Sequence, residues 1–437
     1  IFIGVQQTQM IKKIAASLLF LAFLGLRAQE GTASPYSYFG IGELSSGASV
    51  ENQMMGSIGV LADSIHLSFQ NPAAYSQLLD MGDNGKMVTY TAGISHKQLR
   101  LNSFTEQEST SLTNIDYLAL GFGLAKGWGI GFGVKPYSSV GHSIVSEKLN
   151  AAQDTVTNQY SGDGGLNKVF ISSGGELLKG LSVGVSVGLN FGELKYTRIQ
   201  SVQDVQFGTI DLRTSKVNGL DFTYALSYNP ELKEKHRLFT SLRVNTQANL
   251  TSRNTQRVGS FSLVDGNEIE VIDVDLEVQG LHRTFLKIPT TTTFGVGYGK
   301  DQKWFLGAEM SLQGLSDFEN EFLGVENLEY TNASTYAFGG YYLPNYSAFN
   351  GYFKRIVYRA GVRYDKTGMM LNGKDVNNFG ITFGFGLPLG LNTSNLNVGF
   401  ELGRRGTTAA NLIEEDYFKV SIGLSMNDRW FVKRRIN

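Results

Sequence analysis

The sequence predicts an all-β fold: a 14-stranded antiparallel transmembrane β-barrel with an N-terminal hatch, or plug, inside its lumen. Three observations predict it: apolar residues recur at every second position, an export signal precedes them, and short and long connections alternate. From Leu181 to Phe191 every second residue is apolar, and serine, glycine and asparagine lie between them. Because side chains point alternately to the two faces of a strand, this pattern gives one apolar face and one small, polar face.

The same alternation recurs in other runs, at 128–134, 379–387, 396–402 and 418–426. A soluble β-sandwich alternates as well and is the alternative interpretation. The runs here reach about 12 to 20 residues, whereas strands of soluble sheets most often have about 5 to 6. Lipid offers no hydrogen-bond partners, so a sheet within it must close into a barrel. The length of the runs therefore favours the membrane barrel.

Fourteen candidate strands fit this pattern, and single-chain bacterial barrels have an even number. They begin near Met87, Thr113, Trp128, Leu166, Leu181, Asp211, His236, Thr284, Lys303, Ser334, Lys354, Val376, Asn395 and Asp416. If the first strand rises from the periplasm, every second link is a periplasmic turn, and those at 125–127 and 178–180 are short. The intervening links 146–165, 255–283 and 315–333 are long and are predicted to be outer loops.

Turn and aromatic residues agree with this placement. Asp265-Gly266 predicts the tip of a hairpin that projects above the membrane. Trp430 and Phe431 predict an anchor on the periplasmic side, because aromatic rings of this kind favour the membrane interface.

The N-terminus has the pattern of a secretory signal peptide. Lys12 and Lys13 precede an apolar core, Ile14–Leu26, and Ala28 offers a small residue for cleavage. The predicted divisions are upstream translation at 1–9, a signal peptide at 10–28, the hatch at 29–85 and the barrel at 86–437. We therefore expect the protein in the outer membrane of a Gram-negative bacterium.

Composition argues against other classes of function. The chain has no cysteine, and 38 basic residues balance 39 acidic ones, so neither a zinc–thiolate site nor a nucleic-acid partner is expected. The glycine strings follow the rhythm of a strand and no helix follows them, which argues against a dinucleotide site. Neither a nucleophile elbow nor a His-Glu-x-x-His motif occurs. We expect no enzymatic activity, no cofactor and no metal.

Two motifs resemble the FadL/TodX family of outer-membrane transporters for long-chain fatty acids. "GVLADSIHLSFQNPAAYSQL", residues 59–78, resembles the family's segment between plug and barrel, in which Ala-Asp precedes Asn-Pro-Ala. "KIPTTTTFGVGYG" resembles its Leu-Pro motif before a strand, with Ile288 in place of leucine. The resemblance implies a fourteen-stranded barrel, an N-terminal hatch and hydrophobic ligands.

The first candidate site lies on the hatch and the ligand path, at Ala62, Asp63, Asn71, Pro72 and Ala73. Asparagine before proline favours a turn, and proline prevents a helix from continuing. Two interpretations stay open: a structural corner between hatch and barrel, or a gating contact that shifts with ligand.

The second candidate site is a lateral opening marked by Gly133 and Pro136, because proline within a strand belongs at an edge, an end or a bulge. The resemblance implies an inward kink in the third strand that opens the wall to lipid. The alternative is that the strand has left the membrane by Lys135.

Five charged residues are predicted to face the lumen from their strand parity: Glu309, Arg359, Arg363, Asp365 and Glu401. Because buried charges need partners, we expect them to pair with one another and with the hatch. Binding of a fatty carboxylate by Arg359 or Arg363 is the other interpretation.

The sequence predicts passive uptake of hydrophobic small molecules such as long-chain fatty acids, with gating by the hatch and lateral exit near strand three. The alternative is a non-transporting barrel that serves as an accessory subunit or docking partner of an outer-membrane secretion or assembly complex. The expected partners are outer-membrane lipid and a hydrophobic ligand, and in the alternative other outer-membrane proteins.

Overall fold

The computed structural model describes residues 31–79, 86–264, 267–318, 320–323, 328–348, 350–389 and 394–430. The predicted signal peptide, the Asp265-Gly266 tip and Phe431 lie outside these residues.

The described residues form a closed antiparallel barrel of fourteen strands, which confirms the predicted fold class. The strands are β1 Lys86–Asn102, β2 Gln107–Ala125, β3 Trp128–Leu149, β4 Thr155–Leu178, β5 Leu181–Val202, β6 Phe207–Tyr228, β7 (His236–Asn245 and Ala248–Ser262), β8 (Glu268–Asp273, Arg283–Ile288 and Thr291–Lys300), β9 Trp304–Gln313, β10 Ala333–Tyr342, β11 Val357–Leu371, β12 Lys374–Pro388, β13 Asn395–Arg405 and β14 Glu414–Trp430. Each strand pairs with its neighbour in sequence, and β14 closes on β1 from Glu414↔Asn102 to Trp430↔Lys86.

Smaller elements complete the described chain. They are two short strands, Glu43–Leu44 and Leu328–Tyr330, a one-turn helix α1, Val50–Gln53, and 3-10 turns at Pro35–Tyr38, Pro72–Gln77, Lys233–Lys235, Leu315–Asp317, Glu321–Leu323, Tyr352–Arg355 and Ala409–Asn411. None of the helices in the described ranges has the length and apolar character needed to cross a membrane.

The apolar stripe of β5 lies on the outside of the barrel. Leu189 and Phe191 are exposed, whereas Ser182 and Asn190 of the other face are buried. At about 3.4 Å per residue and a tilt of about 40°, the stripe from Leu181 to Phe191 covers the roughly 25 Å height of a membrane barrel's apolar band. Its exposed side chains are therefore suited to contact lipid.

The strands extend further above this band than predicted. The link 146–165 is a paired hairpin for most of its length, with Ser146 opposite Asn158, and β4 begins at Thr155 instead of near Leu166. Similarly, Glu268–Asp273 within the predicted loop 255–283 pairs with β7. Above the band neither face of a strand meets lipid, so these segments have no apolar stripe in the sequence.

Residues 31–79, called here the N-terminal segment, pack against side chains of the barrel wall. At the end with the short turns, Met55, Ile58 and Val60 pack with Phe239 and Phe305 of the wall. The segment also bonds to opposite sides of the barrel, because Asn71 contacts β6 and Ile65 accepts a hydrogen bond from Asn427 of β14.

Candidate functional site in the barrel lumen

Inward glycines of the wall provide space for the backbone of the N-terminal segment. A Cβ atom on Gly174 or Gly184 would lie 2.3 or 2.2 Å from backbone atoms of Pro72. On the opposite wall, a Cβ atom on Gly361 would lie 2.3 Å from the carbonyl carbon of Met55. Real side chains do not approach backbone atoms so closely, so only glycine permits these contacts.

Asn71 and Pro72 fix the segment to the wall near the short turns. Asn71 is fully buried, its Oδ1 accepts a 3.1 Å hydrogen bond from the Ala73 amide, and its Nδ2 donates to Ser227 Oγ at 3.1 Å. Pro72 is the first residue of the turn Pro72–Gln77, where its missing N–H costs nothing. Asn71 therefore caps a turn and anchors it to β6 at the same time.

Ala62 is buried, and Asp63 organises the adjacent bend of the segment. Asp63 Oδ1 accepts hydrogen bonds from the amides of Ile65 and His66 at 3.0 and 2.8 Å, and Oδ2 lies 2.7 Å from His66 Nδ1. Burial alone would lower the pKa of His66, but the Asp63 carboxylate outweighs it and the pKa is raised. Burial alone would raise the pKa of Asp63, but His66 and the two amides hold it below its usual value.

Three of the predicted lumen charges form one network. Arg363 lies 3.0 Å from Asp365 and 3.2 Å from Glu401, and its guanidinium also donates to Ser57 Oγ of the N-terminal segment at 3.2 Å. Because two carboxylates of the protein already neutralise Arg363, its guanidinium is not available to pair with the carboxylate of a ligand.

The other two lumen charges have separate partners. Glu309 pairs at 2.6 Å with Arg243, a residue that no motif in the sequence indicates. Arg359 donates to Asn397 Oδ1 at 3.0 Å, and Asn397 in turn donates to Glu51 of α1 at 2.8 Å. The inward position of Arg243 follows from parity, since its neighbour Leu242 is exposed on the outside, but its pairing with Glu309 needed the register of β7, β8 and β9.

The wall between β2 and β3 is paired only in part. Pairing runs from Ala125↔Trp128 to Leu118↔Val134, and in the described residues it goes no further. Gly133 lies in this paired part opposite Ala119, whereas Pro136 lies just beyond it and pairs only with Asn167 of β4. The ladder with β4 then shifts register between Pro136 and Ser138. The upper parts of β2 and β3 thus leave a gap in the barrel wall.

The N-terminal segment occupies part of the edge that β2 leaves. Glu43 and Leu44 pair with Ser139 and Ser138 of β3, and the Ser45 amide donates to the Tyr137 carbonyl at 3.0 Å. No feature of the sequence had indicated this two-residue strand, because a pairing of two residues leaves no periodic pattern.

A cavity of about 1200 Å³ lies in the lumen and reaches the gap. Its lining includes Asn114 and Ile115 of β2, Pro136 of β3, and the charged pair of Arg363 and Glu401 deeper inside. Both polar and apolar side chains therefore meet any molecule that enters it.

Lys135 is a cation of the cavity lining that contacts carbonyl oxygens and aromatic rings. Its Nζ donates to the carbonyl oxygens of Gly47 and Phe69 at 3.1 and 3.4 Å and lies 5.8 and 5.6 Å from the ring centres of Phe69 and Phe170. Neighbouring Lys168 pairs with Asp221 at 2.6 Å, but among the described residues Lys135 forms no ion pair.

Three solved structures with a similar fold are a toluene transporter, a FadL homologue and a monoaromatic hydrocarbon channel. The Pseudomonas putida toluene transporter TodX superposes with a TM-score of 0.58 at 15% identity, covering 89% of this chain and 99% of that one. A Pseudomonas aeruginosa FadL homologue gives 0.56 at 11% identity, with 89% and 100% covered. The CymD monoaromatic hydrocarbon channel gives 0.55 at 14% identity, with 88% and 98% covered. At these identities the likeness establishes a FadL-like fold.

Sequence comparison identifies the family. No curated protein matches the chain. The sequence model of the BamG family matches residues 10–437, which is nearly the whole chain, and the protein is therefore a member of the BamG family.

Proposed function

We propose that the protein is an outer-membrane channel through which hydrophobic small molecules, such as long-chain fatty acids, pass between the lumen and the membrane. The observation that carries the proposal is the end of β2–β3 pairing at Leu118↔Val134, directly beside the lumen cavity. Pro136, which has no N–H to offer a ladder, lies at this opening.

The packing of the N-terminal segment supports a sideways route. Pro72, Ala73 and Met55 rest on inward glycines near the short turns, so the straight path to the periplasm is filled by protein backbone. The gap between β2 and β3 borders the same cavity and offers a way out that does not cross these contacts. In this proposal the segment is the hatch, and Asn71 and Asp63 hold it closed.

The surroundings of Lys135 support a ligand with an anionic end and an alkyl chain. Its ammonium group has no carboxylate partner among the described residues, and Phe69 and Phe170 flank it. A fatty carboxylate would pair with the ammonium, while its chain lies along the rings and the gap.

Uptake by reconstituted liposomes tests the route. Labelled oleate should enter liposomes that contain the protein faster than empty ones. Ser45→Trp and Ser46→Trp, at exposed positions beside the gap, should reduce uptake toward the rate of empty liposomes, whereas Thr105→Trp on the β1–β2 loop should not. Wild-type uptake no faster than in empty liposomes would exclude transport of this ligand class, and unimpaired uptake by both gap variants would exclude the lateral route.

A second candidate function is an accessory subunit or docking partner in an outer-membrane complex. The observation that favours it is the β7–β8 hairpin above the apolar band, which exposes Val264, Ile269 and Ile272, the first by 82%. Exposed apolar side chains outside lipid are typical of protein contacts.

Co-purification in mild detergent, with lipid analysis of the same sample, distinguishes the two functions. A stoichiometric protein partner that is lost in Ile269→Ser/Ile272→Ser, together with an empty lumen, would favour the subunit. Bound fatty acid and no stoichiometric partner would favour the channel.

A further inference from the structure

Three basic side chains form a row across the outer face of the barrel. Lys216 of β6 lies opposite Arg253 of β7, and Arg253 lies opposite Arg283 of β8. All three point outward and are exposed, whereas their strand neighbours Ser215, Ser252 and Thr284 are buried toward the inside. The row is therefore on the side of the wall that meets lipid or outer solvent.

Adjacent members of this row are like charges in direct register. Opposing residues of neighbouring antiparallel strands have Cβ atoms about 4.5–5.5 Å apart, and like charges placed so are destabilising. The next position in the row is Glu193, opposite Lys216, but Glu193 pairs with Lys195 at 3.4 Å. Three cations against one carboxylate leave an excess of positive charge along the row.

Two other basic side chains near the row, Lys195 and Arg257, do have carboxylate partners. Lys195 pairs with Glu193, and Arg257 lies 3.6 Å from both Glu268 and Asp273. Among the described residues, Lys216, Arg253 and Arg283 form no ion pair. Arg283 makes a cation–π contact instead, with its guanidinium over the ring of Phe285. The protein itself therefore does not supply the anion that would offset the repulsion in the row.

The row lies immediately above the apolar band. One step toward the membrane on the same face, the next row contains Phe191, Asn218, Thr251 and Phe285, in cross-strand register. Phe191 ends the apolar stripe of β5, and the ring of Phe285 is 59% exposed. This is the side away from the short turns, so the cations are at the level of the headgroups of the outer leaflet.

We propose that Lys216, Arg253 and Arg283 bind the phosphate groups of a phosphorylated glycolipid in the outer leaflet, whose acyl chains lie against Phe285 and Phe191. Arginine presents a planar set of donors that matches phosphate geometry, and a phosphate between two opposed cations removes their repulsion. Basic side chains at a membrane surface attract anionic lipids in the same way. This site is independent of whether the lumen transports a ligand.

Native mass spectrometry in detergent, with titrated lipid A as the probe, tests the proposal. Wild-type protein should bind lipid A, and the K216Q/R253Q/R283Q variant should bind it on the order of 100-fold more weakly. The matched control K195Q/R257Q, which neutralises cations that already have partners, should bind like wild type. If the triple variant fails to fold, R253Q alone removes the central member of the row and serves the same comparison.

Two further arms identify the chemistry. Dephosphorylated lipid A should bind weakly to the wild type, and inorganic pyrophosphate alone should not bind as tightly as lipid A. In lipid-free detergent R253Q should unfold at the same or a higher temperature than wild type, because a like-charge contact is removed, whereas with lipid A bound the order should reverse. The lipid site would be overturned if the triple variant bound lipid A as tightly as the wild type does. It would also be overturned if the wild type bound dephosphorylated lipid A or pyrophosphate as tightly as lipid A.

Discussion

Gly361→Ala should loosen the N-terminal segment while leaving the barrel wall intact. The added Cβ would lie 2.3 Å from backbone atoms of Met55 and Gly56, where ordinary contact begins at 3.4 Å. Backbone cannot rotate away as a side chain does, so the segment must move. Overpacking of this kind costs about 1–3 kcal/mol, which would raise amide exchange in the segment by about 5- to 150-fold.

Hydrogen exchange with mass spectrometry measures this loosening on the peptide covering 50–58. The Gly56 amide, which donates to Thr382 Oγ1 at 2.9 Å, is a direct reporter. Gly175→Ala is the matched control, because its Cβ would lie 3.5 Å from the Trp128 ring, an ordinary distance. Exchange at the wild-type rate in Gly361→Ala would refute the close packing of segment and wall.

Three other changes test the lumen contacts. Arg243→Ala should destabilise the barrel by about 3–5 kcal/mol in urea unfolding, because it leaves buried Glu309 without its cation, and an unchanged midpoint would argue against their pairing. The pKa shifts of His66 and Asp63 predict that amide-exchange protection at 59–67 is greatest between pH 3.8 and 6.5. Because the pKa of His66 is raised, its stabilising contribution is lost as the pH rises above 6.5. Because the pKa of Asp63 is lowered, its stabilising contribution is lost as the pH falls below 3.8. Flat protection across neutral pH, or the same pH dependence in His66→Gln, would contradict this. Asn71→Ala should speed amide exchange at 71–78, because loss of the cap destabilises the turn by about 0.5–2 kcal/mol. Exchange at the wild-type rate would mean that the cap does not stabilise the turn.

The fold could be predicted because lipid imposes a pattern on the sequence. Where a strand crosses the membrane, as from Leu181 to Phe191, one face must be apolar, and counting such stripes identified the strands. Above the membrane this constraint ends, so residues 155–165 have no stripe and their continuation of β4 was not predicted. The pattern also predicted inward parity for Arg363 and Glu401 but could not predict that they meet, since their pairing depends on register across β11, β12 and β13.

The gap between β2 and β3, and the short strand at its edge, could be predicted from the sequence only in part. Pro136 in a strand run indicates a local interruption, but the sequence does not determine which neighbour loses its pairing. The structure has β3 paired with β4 at Pro136 and separated from β2. The strand Glu43–Leu44 depends on the fold of the whole N-terminal segment, which local periodicity cannot reveal.

Residue-resolved amide exchange of β2 in lipid nanodiscs tests the central claim, the gap in the wall, most directly. In an antiparallel sheet successive residues bond alternately to the two neighbouring strands. Along residues 107–117 β2 pairs with β1 alone among the described strands, so alternate amides should be protected and the others should exchange, whereas 118–122, which pair on both sides, should be protected throughout. Uniform protection along the whole of β2 would mean that the wall is closed and would contradict the account.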